Sequence, residues 1–199
     1  MKKSIIVLLL ALFLIACNNT PKDGVMLNED AILNDDNIMI STKTQKPYTG
    51  TITKYHENGK IQGVLPYREG LRHGESKAFY ESGQILISMN LKDGVVHGDL
   101  IRYHENGKIA GASHYIDGKV HGKTQDYYED GQPERIMTSE NGELHGDFIE
   151  YYPNGNISLK AVYEHNRING DATMYYEDGR IKQIEHYIFG ALMKTETFE

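Results

Sequence analysis

The stretch Gly98-Asp99-Leu100-Ile101-Arg102-Tyr103-His104-Glu105-Asn106-Gly107-Lys108-Ile109-Ala110-Gly111-Ala112-Ser113-His114-Tyr115-Ile116-Asp117-Gly118-Lys119-Val120-His121 is one period of a pattern that fills most of the chain. Its glycines mark the period. Glycines stand at 50, 74, 98, 122, 146 and 170, each 24 residues after the last, and again at 59, 83, 107, 131, 155 and 179. A third column runs 70, 94, 118, 142 and 190, with Asn166 in the missing place. Asn is the best substitute where φ must be positive, so backbone conformation rather than composition sets this column. Self-similarity at a fixed period is the signature of a repeat architecture.

Each unit holds two turns. The first reads Glu57-Asn58-Gly59, Glu81-Ser82-Gly83, Glu105-Asn106-Gly107, Glu129-Asp130-Gly131, Pro153-Asn154-Gly155 and Glu177-Asp178-Gly179. The second uses Asp93-Gly94, Asp117-Gly118 and Asn141-Gly142. Such dipeptides between apolar runs are the strongest short-range hairpin signal. Two turns per unit leave two strands of about 5–8 residues, the usual range.

Side-chain columns fit those strands. Tyr55, Phe79, Tyr103, Tyr127, Tyr151 and Tyr175 form one column on the first strand, and Ile61, Ile85, Ile109, Ile157 and Ile181 form another on the second. Six positions further on, Tyr67, Leu91, Tyr115, Tyr163 and Tyr187 are expected on the face of the isoleucines, because even offsets along a strand share a face. Pro133 and Ser139 interrupt these columns, so the unit from Gly122 to His145 has the weakest apolar face. Pro133 also removes a ladder donor. The predicted fold is all-β, an open single-layer antiparallel meander of six 24-residue hairpin repeats over residues 47–193, each unit touching only its neighbours. Edge strands need blunting. Ile38-Met39-Ile40 is the expected capping strand, and Ala191 to Glu199, charged at Lys194, Glu196 and Glu199, the expected end piece.

The N-terminus reads differently. Lys2 and Lys3 precede an apolar run from Ile5 to Ala16. That run is too short for a bilayer span, which takes ~20 residues, and it matches the apolar region of a secretory leader. Its end, Leu14-Ile15-Ala16-Cys17, resembles a bacterial lipobox, which implies cleavage before Cys17 and a lipid on its thiol. Residues 1–16 then form a signal peptide, 17–46 the lipidated cysteine, a tether and the capping strand, and 194–199 the end strand or tail. The expected location is the cell envelope, anchored to a bacterial membrane, the outer one in a Gram-negative cell. Attached acyl chains contribute about 0.8 kcal/mol per buried CH₂. As the chain's only cysteine, Cys17 allows no intramolecular disulfide.

Composition narrows the partners. Tyr supplies 14 of the aromatic residues against five Phe and no Trp, and mean hydropathy is -0.53, which suits a thin, half-wet sheet rather than a thick core. The formal charge of -7 becomes -9 once Lys2 and Lys3 are removed. An acidic body does not suit phosphate backbones or anionic headgroups, so neither nucleic acid nor direct headgroup binding is expected.

The cores Tyr127-Tyr128-Glu129-Asp130-Gly131, Tyr151-Tyr152-Pro153-Asn154-Gly155 and Tyr175-Tyr176-Glu177-Asp178-Gly179 resemble variant MORN repeats. So do the Asp-Gly-x-x-His-Gly joints from Asp93 to Gly98 and Asp117 to Gly122, and the entry Pro47-Tyr48-Thr49-Gly50. The resemblance covers about residues 47–193 and extends to the YwqK-type antitoxin family of bacterial proteins. It implies a repeat scaffold that caps another protein.

The chemistry-bearing residues are weighed against that frame. His73, His97, His121 and His145 form a column, but equivalent positions lie two strands or ~9.6 Å apart, too far to share one ion held at ~2.0–2.1 Å. They are expected to bond turn backbone, with no metal and no cofactor. Asp130 and Glu134 read as solvated turn acids, and Ser82 and Ser139 lack a nucleophile elbow. His56-Glu57 and His104-Glu105 lack the second His of a zinc-protease helix. No catalytic residues are expected. Tyr80, Tyr128, Tyr152 and Tyr176 are the candidate partner-binding strip, which makes residues 122–179 the expected contact surface. The expected function is a non-enzymatic, membrane-anchored scaffold for protein binding, antitoxin- or immunity-like, with an acidic face suited to a basic partner. The alternatives are a self-associating structural envelope lipoprotein and a glycan-binding surface protein.

Overall fold

The computed structural model describes residues 31–199, and the leader, with Cys17, lies outside the described residues. The described chain is all strand and turn. In chain order the strands are β1 (Ala31–Leu33), β2 (Met39–Ser41), β3 (Gly50–Tyr55), β4 (Ile61–Arg68), β5 (Leu71–Arg72) and β6 (Gly74–Phe79). They continue as β7 (Ile85–Lys92), β8 (Val95–Tyr103), β9 (Ile109–Ile116), β10 (Lys119–Val120), β11 (Gly122–Tyr127) and β12 (Pro133–Glu140). The last six are β13 (Glu143–Tyr151), β14 (Ile157–Glu164), β15 (Arg167–Ile168), β16 (Gly170–Tyr175), β17 (Ile181–Ile188) and β18 (Ala191–Thr197). β1 and β2 pair with each other, and the rest form one 16-stranded antiparallel sheet running in sequence order from β3 to β18. Its two ends do not meet. The sheet is an open meander.

The two turns of each unit differ in kind. At the second, both central residues take positive φ: 50° and 87° at Asp93-Gly94, 47° and 80° at Asp117-Gly118. That is the two-residue turn whose twist matches the flanking strands. Asn166 holds φ 64° in the column where every other unit has Gly, which is why Asn alone replaces it. At the first turn only the glycine is left-handed, and Gly59 N–H donates to the His56 carbonyl at 2.9 Å. This is the three-residue loop with glycine closing a bulge.

Phe189 sits where the other units place Glu, Asp, Asn or His, at φ 46°, and is 59% exposed. A bulky residue in that region is strained by about 1 kcal/mol or more, with little burial in return. Phe189→Asn is therefore expected to raise stability by roughly 1 kcal/mol, read as a higher denaturation midpoint at unchanged slope.

One expectation is overturned. The register skips a residue between Lys54 and Tyr55, and at 78/79, 102/103, 126/127, 150/151 and 174/175. Each skip is a β-bulge that puts an extra residue in the second strand, so an even offset across it changes face. Ile61 pairs with Tyr55, whereas Gly63 pairs with Lys54. The isoleucine column therefore lies on the outer face, with Ile61 40% and Ile109 43% exposed. Tyr67, Leu91 and Tyr115 lie on the core face at 8%, 3% and 4%.

The core face fills by stacking. Ala78, Ile87, Met89, Leu91, Val96, Leu100 and Tyr115 form one buried cluster, with Val120 packed against it. A second joins Ala31 and Met39 to Ile52, Leu65 and Tyr67. Met39 N–H donates to the Gly70 carbonyl, and Gly70 N–H to that of Tyr48. The first turn of the array is thus occupied by the segment before it.

The same bond recurs along the stack. Gly94 N–H donates to the Arg72 carbonyl, Gly118 to Val96, Gly142 to Val120, Asn166 to Leu144 and Gly190 to Ile168. Each unit's turn is clipped to the previous unit 22 residues back, which converts a chain of hairpins into a stack.

Candidate binding surface

The tyrosine strip is engaged in the stack itself. Tyr80, Tyr128 and Tyr152 each start the first turn of their unit, and their hydroxyls donate to the carbonyls of Tyr103, Tyr151 and Tyr175 at 2.8, 2.6 and 2.7 Å. Tyr176 reaches the Phe198 carbonyl at 3.5 Å. His56 and His104 occupy the same place in their units, with Nε2 2.9 Å from the carbonyls of Phe79 and Tyr127. The column is a series of clasps between consecutive units. Burial, the first cause in both, pushes the Tyr80 and Tyr128 hydroxyls above their usual range. Arg180 and Lys182 stand over the Tyr176 ring at 5.3 and 5.7 Å.

The histidine column sits at the second turn. His73 Nδ1 lies 3.1 Å from Asp93 Oδ1 and 3.4 Å from the Asp93 N–H, and His97 stands likewise to Asp117 at 3.2 and 3.4 Å. A protonated Nδ1 donates to the carboxylate, and an unprotonated one accepts the N–H. Thr49 and Asn169 fill the column elsewhere, accepting the N–H groups of Glu69 and Phe189 at 3.0 and 3.2 Å. At these four positions the column supplies an acceptor to the left-handed residue. Bonding from Arg68, then from His73, holds the Asp93 carboxyl below its usual range. His121 is exposed, with its backbone N–H on the His114 carbonyl. His145 turns its ring edge to His165 at 5.3 Å and leaves Nδ1 without a hydrogen-bond partner. Among the described residues no group of three or more His, Cys, Asp or Glu is placed to hold a metal ion.

The core face changes character along the array, and reading the columns one residue type at a time missed this. In the unit where Pro133 and Ser139 interrupt the apolar columns, the buried side chains are Thr124, Asp126, Met137 and Ser139. The Asp126 side chain is 4% exposed, and it accepts from Arg102 Nη2 at 2.5 Å and from Arg135 Nη2 at 3.0 Å. Arg135 Nη1 also stands 3.7 Å from Glu150. The signal was available: Arg102, Asp126 and Glu150 are 24 apart, so they are neighbours in one column with alternating charge before a second acid. Gly111 makes the crossing feasible. A Cβ there would collide with the Arg102 guanidinium and lie 2.8 Å from Asp126 Oδ1.

Beyond this cluster the face opens. From residue 144 onward only Ala161 and Ala172 are buried, and Phe148, Leu159, Tyr163, Met174 and Tyr187 are half-buried. The Phe148 and Tyr163 rings touch at 5.4 Å between centroids. Glu150 and Glu185 stand on the same face, and Glu185 accepts from Tyr187 and Gln183, both at 2.7 Å. Burial, then the Glu150 charge, raises the Tyr163 hydroxyl, whereas bonding to Glu185 is the first cause for Tyr187. Aromatic rings with carboxylates between them offer contact area and negative potential together.

The same six units are found by comparison with known families. The MORN repeat variant matches residues 48–69, 72–93, 96–117, 120–141, 144–165 and 168–188. The chain belongs to this family. The first five MORN matches close on the left-handed residues Glu69, Asp93, Asp117, Asn141 and His165, and the sixth closes one residue before Phe189, so the family unit follows the structural repeat. MORN repeats are generally scaffolds for binding, and their all-β fold is typically non-enzymatic. A search of curated proteins found no match.

Proposed function

We propose that this chain is a lipid-anchored, non-catalytic scaffold of the bacterial cell envelope that binds a basic protein through the core face of its last two MORN units. One observation carries the reading. The core face is closed by large apolar side chains in the first units, and in the last it is half-open, aromatic and acidic at Phe148, Tyr163, Tyr187, Glu150 and Glu185. Exposed aromatic area with a field of one sign is how an interface gains both affinity and steering. The tyrosines at 128, 152 and 176 support this surface by clasping the units that carry it, and Tyr80 does the same between earlier units. An antitoxin- or immunity-like role is the finer form of the proposal, in which the bound protein is masked.

A photo-crosslinking residue at Tyr187, in cells, tests the surface against the same residue at Ile61 on the outer face. One specific protein adduct is expected from Tyr187 and none from Ile61, and Glu150→Lys with Glu185→Lys should cut the adduct about ten-fold. Equal adducts at both positions, or none at Tyr187, would sink the surface. Labelling with a fatty-acid analogue, lost in Cys17→Ser, reads the anchor separately.

A further inference from the structure

The stack does not end as it begins. At its start, the segment before β3 occupies the first turn through Met39 and Tyr48. At its end, β18 is paired only with β17, and Leu192 and Met193 are 52% and 62% exposed. Val96, Val120, Leu144 and Ile168 each give a carbonyl to the following unit's turn. Leu192 is the next member of this column, and among the described residues no turn donates to its carbonyl. β18 stands in the place of the first strand of a unit.

The backbone of β18 fixes what suits this edge. Phe198 N–H donates inward to the Lys182 carbonyl at 3.0 Å. Residues 194 and 196 therefore turn their backbone groups inward as well, and 195 and 197 turn theirs to the open edge. Two such edges laid antiparallel, with Thr195 opposite Thr195, exchange hydrogen bonds at 195, short of the bulge at Met193. In that register Lys194 stands opposite Glu196 on the outer face, twice. Within one chain Lys194 already bonds Glu196, so pairing extends an ion pair into a four-charge row rather than desolvating lone charges. His186 stands beside it, 3.4 Å from Glu196. The strand is self-complementary in charge, and its charges deter unlike edges.

We infer that two copies of this chain pair antiparallel through β18, about a two-fold axis at Thr195, to make one continuous sheet. The pairing uses the same edge of both copies, so it closes at two, and β3 at the opposite end of the sheet reads Gly-Thr-Ile-Thr-Lys-Tyr, without the Lys–Glu pair that would match β18 head to tail. This edge is separate from the core face proposed for the partner protein, and either can fail alone.

Disulfide trapping on the full chain in membranes tests it. Hydrogen-bonded pairs put Cα atoms about 5.5 Å apart, within disulfide reach, so Thr195→Cys is expected to give a reducible dimer while Val162→Cys, on the exposed outer face, does not. In detergent, sedimentation should show Lys194→Glu weakening the dimer about ten-fold and Lys194→Glu with Glu196→Lys restoring it. A monomer at every concentration, trapping no faster than at Val162, or a charge swap that fails to restore pairing overturns the inference.

Discussion

Met89→Ala is expected to lower the unfolding free energy by about 3 kcal/mol, and Ile109→Ala by less than about 1 kcal/mol. Both remove a large apolar side chain from the second strand of a unit. Met89 is 1% exposed, inside the cluster of Ala78, Ile87, Leu91, Val96, Leu100 and Tyr115. A single layer has no second sheet to relax into the gap, so the cavity opens between neighbouring columns and weakens coupling between units as well as local packing. Ile109 is 43% exposed beside Tyr103, and its loss returns little surface to water. Denaturant unfolding of the two variants measures the contrast, and hydrogen exchange should show Met89→Ala loosening the first three units most. Equal costs at the two sites would mean that the bulges do not invert the faces as described.

That contrast marks the limit of what the residues alone disclose. The period, the six units, the hairpins and the open meander are legible because glycine and asparagine at fixed spacing report a backbone requirement, and φ 64° at Asn166 is that requirement met. Face assignment by counting is not legible across a bulge. The extra residue at Gln62, Leu86 and their equivalents leaves no compositional mark, since any side chain fits there. The polar centre of the core face was half-visible. Ser139 and Pro133 announced a gap in the apolar columns, but only the register shows that Arg102 and Arg135 reach into it to meet Asp126. The tyrosine hydroxyls were hidden for a similar reason. Whether a Tyr in a turn serves a partner or a carbonyl 23 residues away depends on how closely units stack, which no spacing rule fixes.

Asp126→Ala is expected to cost about 3 kcal/mol, the lower end for breaking a buried ion pair, because Arg102 and Arg135 keep 23% and 32% of their side-chain surface exposed and recover some hydration. The loss should come from the stranded guanidiniums rather than from the missing attraction. Replacing Arg102 by Met together with Asp126→Leu is therefore expected to bring the cost back to within about 1 kcal/mol of the native chain, with Arg135 left to Glu150. Gly111 supplies the cross-check. Gly111→Ala forces the Arg102 guanidinium off its path, so alone it should destabilise by about 2 kcal/mol, and in the Arg102→Met background by clearly less. A double-mutant cycle between 102 and 111, by denaturant unfolding, reads this coupling. Additive effects would mean that Gly111 is small for the sake of its backbone, and that the charged row crosses the core face without needing the gap.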